Sequence, residues 1–405
     1  MSRLAGLRAR AGVSPVVWSL GVVSLLADLG SEFAYPLVPV FLTVTLGASP
    51  AVLGLIEGLA EGTAAALRPA SGAISDRLPR RRPLVSAGYG LSAVGRVLLP
   101  LAPGWGAVLA ARLVDRVGKG VRTAPRDAMI ADATPPESRG RAFGLHRSMD
   151  TVGAVGGPLA ALVALWALGE GSLRTVLLIA AVPVVASAAV TFRIREPRRR
   201  PARRRDAGDG PRPPLPGRYW LFLGGWALFA VGNSSDAFLI LRARELLGSA
   251  AAAVAAYALF NVVAAVASFP AGVMSDRLGR RIPLLAGLGV FAAVYAVVAT
   301  APAWPVLLAA FAAYGLYLAL TDGVSRALVS TLAPAGRAGE ALGLFAGVTA
   351  AAAVAASVGG GLLWDRLGPG WTFGAGAVLA AAGAAVLTAC PMHPPPQAVT
   401  SPGSG

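Results

Sequence analysis

Apolar residues run along this chain in blocks of about twenty or more, divided by short polar or proline-containing intervals. A helix needs about 20 predominantly apolar residues to cross the ~30 Å hydrocarbon core of a bilayer, so each block predicts a transmembrane helix. Twelve spans are expected, over 16–45, 51–75, 84–102, 106–131, 140–168, 173–192, 219–247, 251–275, 284–300, 304–332, 339–364 and 371–390. Several are longer than an upright crossing needs, which suits tilted helices around a cavity. The interval 193–218 is dense in Pro and Arg, with Arg198, Arg199, Arg200, Arg203, Arg204 and Arg205. It reads as a flexible linker between an N-terminal six-helix bundle over 1–192 and a C-terminal one over 219–392, and 393–405 as a disordered tail.

Composition agrees with that pattern. Of 405 residues, 55% are hydrophobic and 14% charged, and mean hydropathy is +0.64, well beyond an ordinary soluble chain. The net charge of +16 comes from arginines spread over short intervals rather than one basic face, which argues against nucleic acid as a partner. Basic residues fall in alternate intervals: Arg3, Arg8 and Arg10, then Arg77 to Arg82, Arg139 and Arg141, the linker, and Arg277 to Arg281. The loops near Gly47, Pro103 and Ala301 carry no Lys or Arg. Since basic loops stay in the cytoplasm, both termini are expected there, in a cell inner (plasma) membrane. The charged start followed by apolar residues has the order of a signal peptide, but the apolar run continues to about Leu46, contains Asp28 and Glu32, and lacks a small-residue cleavage site. An uncleaved first helix is expected. The single cysteine, Cys390, excludes an internal disulfide, and two histidines, His146 and His393, do not make a metal site; no metal or cofactor is expected.

The two halves repeat each other. Gly72-Ala-Ile-Ser-Asp76-Arg77-Leu-Pro-Arg80-Arg81 matches Gly272-Val-Met-Ser-Asp276-Arg277-Leu-Gly-Arg280-Arg281, an offset of 276 − 76 = 200, and Arg126 matches Arg326 at the same offset. Six-helix repeats are used by carriers that rock one half against the other around a midplane site. Physically, Asp76 and Arg77 can pair with charges or helix ends that are adjacent in only one state, a conformational latch.

These residues resemble the major facilitator superfamily over the whole chain. The paired loops, Gly72, Asp76, Arg77 and Arg81 with Gly272, Asp276, Arg277 and Arg281, look like its helix 2–3 signature, with Pro79 in place of a glycine in the first. Leu29-Gly30-x5-Pro36-x-x-Pro39 resembles a first-helix motif of the 12-span drug-proton antiporter branch. Gly144-x8-Gly153-x3-Gly157-Pro158 resembles the fifth-helix antiporter signature, although Ala161 and Leu162 stand where a glycine pair is usual; by itself the spacing indicates only close helix packing. Arg112, followed by Gly118 and Gly120, resembles a buried-arginine motif of the fourth helix, with Arg116 replacing its usual glycine. The resemblance implies an all-α fold of twelve transmembrane helices in two pseudo-symmetric bundles, helices one, four, seven and ten lining a central cavity, and a monomer exchanging a small molecule against protons.

Ionisable side chains inside a bilayer cost about 2.5 kcal/mol or more and commonly mark a pathway. Asp28 and Glu32 are one turn apart on the first span, and Glu57 and Glu61 on the second. Two carboxylates held together in low dielectric resist ionising at once, which makes Asp28 and Glu32 candidates for proton coupling, or else the partners of fourth-span arginines. Asp236 and Asp322 are further proton candidates, and Arg112, Asp115, Arg116, Arg122, Asn233 and Arg326 are candidates for substrate contact. Asp115 is in reach of Arg112 and Lys119, and Arg147 of Asp150, for pairing along one helix. On the four lining spans six acids balance six bases, so substrate charge stays open. A proton-driven exporter is the expected function; an uptake symporter for a nutrient, metabolite or metal chelate shares every feature. A non-transporting receptor or an embedded enzyme is a remoter reading, because no nucleotide-binding loop and no Ser-His-Asp or metal-ligand set is present.

Overall fold

The computed structural model describes residues 14–194, 196, 213–301, 303–334 and 337–390. Most of the interval expected to be a linker, and the expected tail, lie outside these residues. Secondary structure among the described residues is helical: α1 (Pro15–Thr45), α2 (Pro50–Arg77), α3 (Arg82–Leu101), α4 (Trp105–Asp132), α5 (Arg139–Leu168), α6 (Leu173–Thr191), α7 in two pieces (Gly217–Gly232 and Asp236–Leu247), α8 (Ala250–Leu278), α9 (Arg281–Ala299), α10 (Trp304–Leu332), α11 (Ala338–Leu367) and α12 (Pro369–Thr388). Ten of them are long and apolar enough to cross a membrane. The two that are not are α4, which carries Arg112, Asp115, Arg116, Lys119 and Arg122, and α7, whose pieces are 16 and 12 residues long.

The break in α7 departs from the continuous helix expected over 219–247. Hydrophobicity runs through it, but Gly232-Asn233-Ser234-Ser235 is helix-ending and N-capping sequence, and the Ser235 side chain accepts a hydrogen bond from the Ala237 N–H. Tyrosine hydroxyls from neighbouring helices satisfy the polar groups that a break exposes in low dielectric. Tyr317 bonds Asn233 at 3.1 Å, Tyr295 bonds Ser234 at 3.1 Å, and Tyr314 donates to Asp236 at 2.6 Å. α1 is broken near the matching position, at Tyr35-Pro36, where proline cannot continue the ladder. The two breaks, 200 residues apart, touch: the Tyr35 and Ser235 hydroxyls are 3.2 Å apart.

Helix packing repeats with the sequence. α1 packs on α5 and α6 as α7 packs on α11 and α12; α4 lies against α2 and α3 as α10 lies against α8 and α9; α3 meets α6 as α9 meets α12. Small residues set the closest of these crossings. On α5, a side chain added at Gly157 would stand 2.6 Å from the Phe33 backbone nitrogen, and one at Gly153 2.6 Å from the Leu25 carbonyl, so only glycine lets α1 approach this far. Between the two sets of six, α2 packs on α11 and α5 on α8, and the outer part of α1 touches the second piece of α7. These seams lie at one end of the bundle, where Glu170 accepts hydrogen bonds from Ser249 Oγ (2.6 Å) and the Ala251 N–H (3.0 Å) at the start of α8. At the opposite end, that of the basic loops, Gly144, Gly343 and Gly347 face open space, and Arg147 and Asp322, both largely exposed, approach to 3.9 Å.

Candidate functional site: a charged pocket between the halves

A cavity of about 330 Å³ lies between the two sets of helices. α1 contributes Asp28, Glu32 and Tyr35, α4 contributes Arg116, Lys119 and Arg122, and α7 contributes Asn233 through Asp236. Glu61, Asp115, Tyr257 and Ser357 complete the wall. The α4 residues come three or four apart and so share one helix face. Their equivalents on α10, at the 200-residue offset, are apolar at Leu316 and Ala319 and acidic at Asp322. The cations of the pocket thus come from the first half, while α10 hydrogen-bonds the α7 lining from behind, Tyr314 to Asp236 and Tyr317 to Asn233, with the two rings 5.2 Å apart.

Most α4 charges are already matched from behind. Arg112, wholly buried, pairs with the buried Glu57 of α2. Asp115 pairs with Arg96 of α3 at 2.8 Å, and Arg116 with Glu61 at 3.4 Å. Arg122 lies 4.3 Å over the Tyr89 ring and bonds Ser92. Three carboxylates on the facing wall make no ion pair among the described residues. Glu32 accepts a hydrogen bond from Tyr257 at 2.6 Å, Asp236 from Tyr314 at 2.6 Å, and Asp28 has no hydrogen bond or ion pair among the described residues. Lys119 likewise has no such partner among them. Tyr35 and Tyr257, with ring centroids 5.6 Å apart, form the roof at the closed end.

The structure gathers Asp28, Glu32, Asp115, Arg116, Arg122, Asn233 and Asp236 at this pocket. It places others elsewhere. Arg112 is turned away toward α2 and consumed by Glu57, so it cannot meet substrate in this state. Asp322 and Arg326 pair with each other at 2.7 Å at the open end, outside the pocket. Asp115 takes neither Arg112 nor Lys119; Arg96, an ionisable residue inside an apolar span that the same rule could have flagged, reaches it instead. Asp150 faces His146 rather than Arg147, which turns outward to Asp322.

In the helix 2–3 loop, Arg81 is buried and bridges Asp76 and Asp132, each at 2.7 Å, and Glu196 accepts from the Arg81 and Arg82 N–H groups. In the second copy, Asp276 and Arg277 are exposed and Arg281 bonds the Thr388 carbonyl. Neither Gly72 nor Gly272 is at a tight crossing here: a side chain on Gly72 would find its nearest neighbour at 3.4 Å, and Gly272 faces open space. On α5, Gly144 is open, whereas Gly153 and Gly157, followed by the buried Pro158, sit against α1.

An apolar exterior around a polar central pocket is the build of a membrane transporter. The model of the Major Facilitator Superfamily matches residues 20–248 and 221–405. An uncharacterised MFS-type transporter of Methanocaldococcus jannaschii is 34% identical over 375 residues, covering 91% of this chain and 93% of its own. The multidrug resistance protein MdtH of Photorhabdus laumondii is 31% identical over 145 residues, 36% of this chain and 35% of its own. Among solved structures, a mutant of the nucleoside transporter NupG superposes with a TM-score of 0.74 at 12% identity, over 92% of this chain and 98% of that one. The chain belongs to the major facilitator superfamily; it is a multi-pass membrane transporter and not an enzyme.

Proposed function

We propose that the protein is a proton-coupled antiporter that exports small molecules across the inner (plasma) membrane by alternating access, working as a monomer. In this reading α4 and the broken α7 cross the membrane with the ten more apolar helices, α1–α6 and α7–α12 form two bundles, and both termini are cytoplasmic. The basic loops then place the open end of the pocket in the cytoplasm, so the structure is the inward-facing state.

The observation that carries the proposal is the imbalance in the pocket. Asp28, Glu32 and Asp236 line it without an ion pair among the described residues, Glu32 and Asp236 each accepting from a tyrosine hydroxyl. Carboxylates so placed exchange protons or bind a cation, and an antiporter needs a site that does one or the other in turn. Rocking about the pocket requires only that the α2/α11 and α5/α8 seams part while the open end closes. The partial likeness to MdtH supports export; the fold shared with a nucleoside transporter is equally compatible with uptake.

The sign of coupling tests the reading. Purified protein in liposomes, given an imposed pH gradient and pooled cationic and anionic compounds, is expected to move protons opposite to the transported compound. Movement of both in the same direction makes the protein a symporter, and compound movement indifferent to the gradient removes proton coupling from the proposal.

A further inference from the structure

We infer that His146 and Asp150 on α5 form a proton-binding site beside Asp28, through which protons pass between the open end and the pocket. The inference rests on the proton-coupled reading above, but its residues lie outside the pocket and none of them contacts substrate there.

His146 is 4% exposed, and its Nδ1 stands 3.5 Å from Asp150 Oδ2, one helical turn away. The other two polar atoms of the pair, His146 Nε2 and Asp150 Oδ1, are shut off from solvent and have no hydrogen-bond partner. Buried polar atoms are nearly always satisfied, so two such atoms on adjacent titratable side chains require an explanation. A neutral imidazole beside a carboxylate is half of a hydrogen-bonded pair, and one added proton turns it into an ion pair without moving the helix that carries both.

The surroundings leave this pair free to take that proton. From α4, Arg126 is held by Asp127 at 2.9 Å and by Ser24 Oγ at 2.9 Å. On α5 itself, Arg147 points out toward Asp322 of α10. α6 has one charged side chain, Arg174, tied at the far end to the carbonyls of Pro100 and Ala102. From α1 comes Asp28, which packs against α5 beside Gly153, three residues on from Asp150. The missing side chain of Gly153 brings them together, since an added Cβ there would stand 3.1 Å from that of Asp28. Going up the seam, Glu32 follows Asp28 by one turn, roughly 6 Å, and meets Tyr257 at 2.6 Å. His146 and Asp150 on α5, and Asp28 and Glu32 on α1, therefore make two helical-turn steps that meet at the α1/α5 crossing and run from the open end to the roof of the pocket. Neighbouring carboxylates in such a line share protons rather than titrate singly.

The test needs no substrate. The chain has two histidines, so a His393→Gln background with isotope-labelled histidine gives one imidazole to follow by NMR in detergent micelles or bilayers. The expected result is a titration of His146 between pH 5 and 9 that moves by about one pH unit or more in Asp150→Asn, the size of effect a contacting carboxylate has, and by a smaller amount in Asp28→Asn. His146 signals unchanged across that range, or a titration identical in Asp150→Asn, overturn the inference while leaving coupling to Asp28, Glu32 or Asp236 intact. If His146 titrates as expected and the liposome experiment finds no dependence on the pH gradient, the proton-coupled reading fails instead.

Discussion

Glu57→Gln is expected to destabilise the protein by about 3–5 kcal/mol, the penalty for stranding one charge of a buried pair. Arg112 is wholly buried, and its Nε and one Nη have no hydrogen-bond partner, so Glu57 carries nearly all the compensation for its charge. The Tyr35 ring, 5.9 Å away at the limit of a cation–π contact, adds only about 0.5–2 kcal/mol and does not replace a carboxylate. In detergent the variant should lose its monodisperse peak at a markedly lower temperature than the wild type. Removing both charges, as Glu57→Leu with Arg112→Met, should recover most of the loss, because no ion is then left unpaired. Single and double variants of equal stability would mean that Arg112 finds water or another carboxylate.

Gly361→Leu is expected to drive the protein out of the observed state. A side chain at Gly361 would stand 2.6 Å from the Pro50 carbonyl and 2.9 Å from the Ala51 Cα, and one at Gly54 would strike the Ser357 carbonyl. These contacts join α2 to α11 only while that end is closed. Overpacking costs about 1–3 kcal/mol, which in a two-state equilibrium is about a 5- to 150-fold shift. Leu at either position should therefore favour the state in which the α2/α11 end is open and the basic-loop end closed. The check is thiol labelling of Gly144→Cys in a Cys390→Ala background: labelling should fall several-fold in Gly361→Leu, and transport with it. Gly374→Leu, on α12 with open space around it, is the control. Unchanged labelling in Gly361→Leu would mean that the α2/α11 seam does not part.

Much of this architecture is legible in the sequence because the bilayer imposes it. Span length, the alternation of basic loops and the 200-residue repeat all follow from one-dimensional pattern, and the helix limits lie within a few residues of those expected. The break in α7 was missed because an apolar run conceals a capping sequence of small polar residues, and it is tertiary contact with three tyrosines that makes the break tolerable. In the site, Asp28 and Glu32 were readable from spacing, and both line the pocket. Pairing across helices was not. Charge counted along α1, α4, α7 and α10 cancels, yet α2 and α3 supply Glu57, Glu61 and Arg96 and change which groups are left free. His146 and Asp150 were visible as i and i+4 on one helix, but weighing the histidine only against a metal site, and setting that aside, concealed the pair.

Proton coupling in this protein rests on the pocket carboxylates that make no ion pair, Asp28, Glu32 and Asp236. The measurement that tests it most directly is pH-gradient-driven flux in liposomes for the wild type beside Asp28→Asn and Asp236→Asn, with protein insertion matched. Each substitution keeps shape and removes an exchangeable proton, so gradient-driven accumulation is expected to fall at least about tenfold, a change of 1.4 kcal/mol, while gradient-independent exchange of the same compound persists. Wild-type accumulation in both variants would contradict the account.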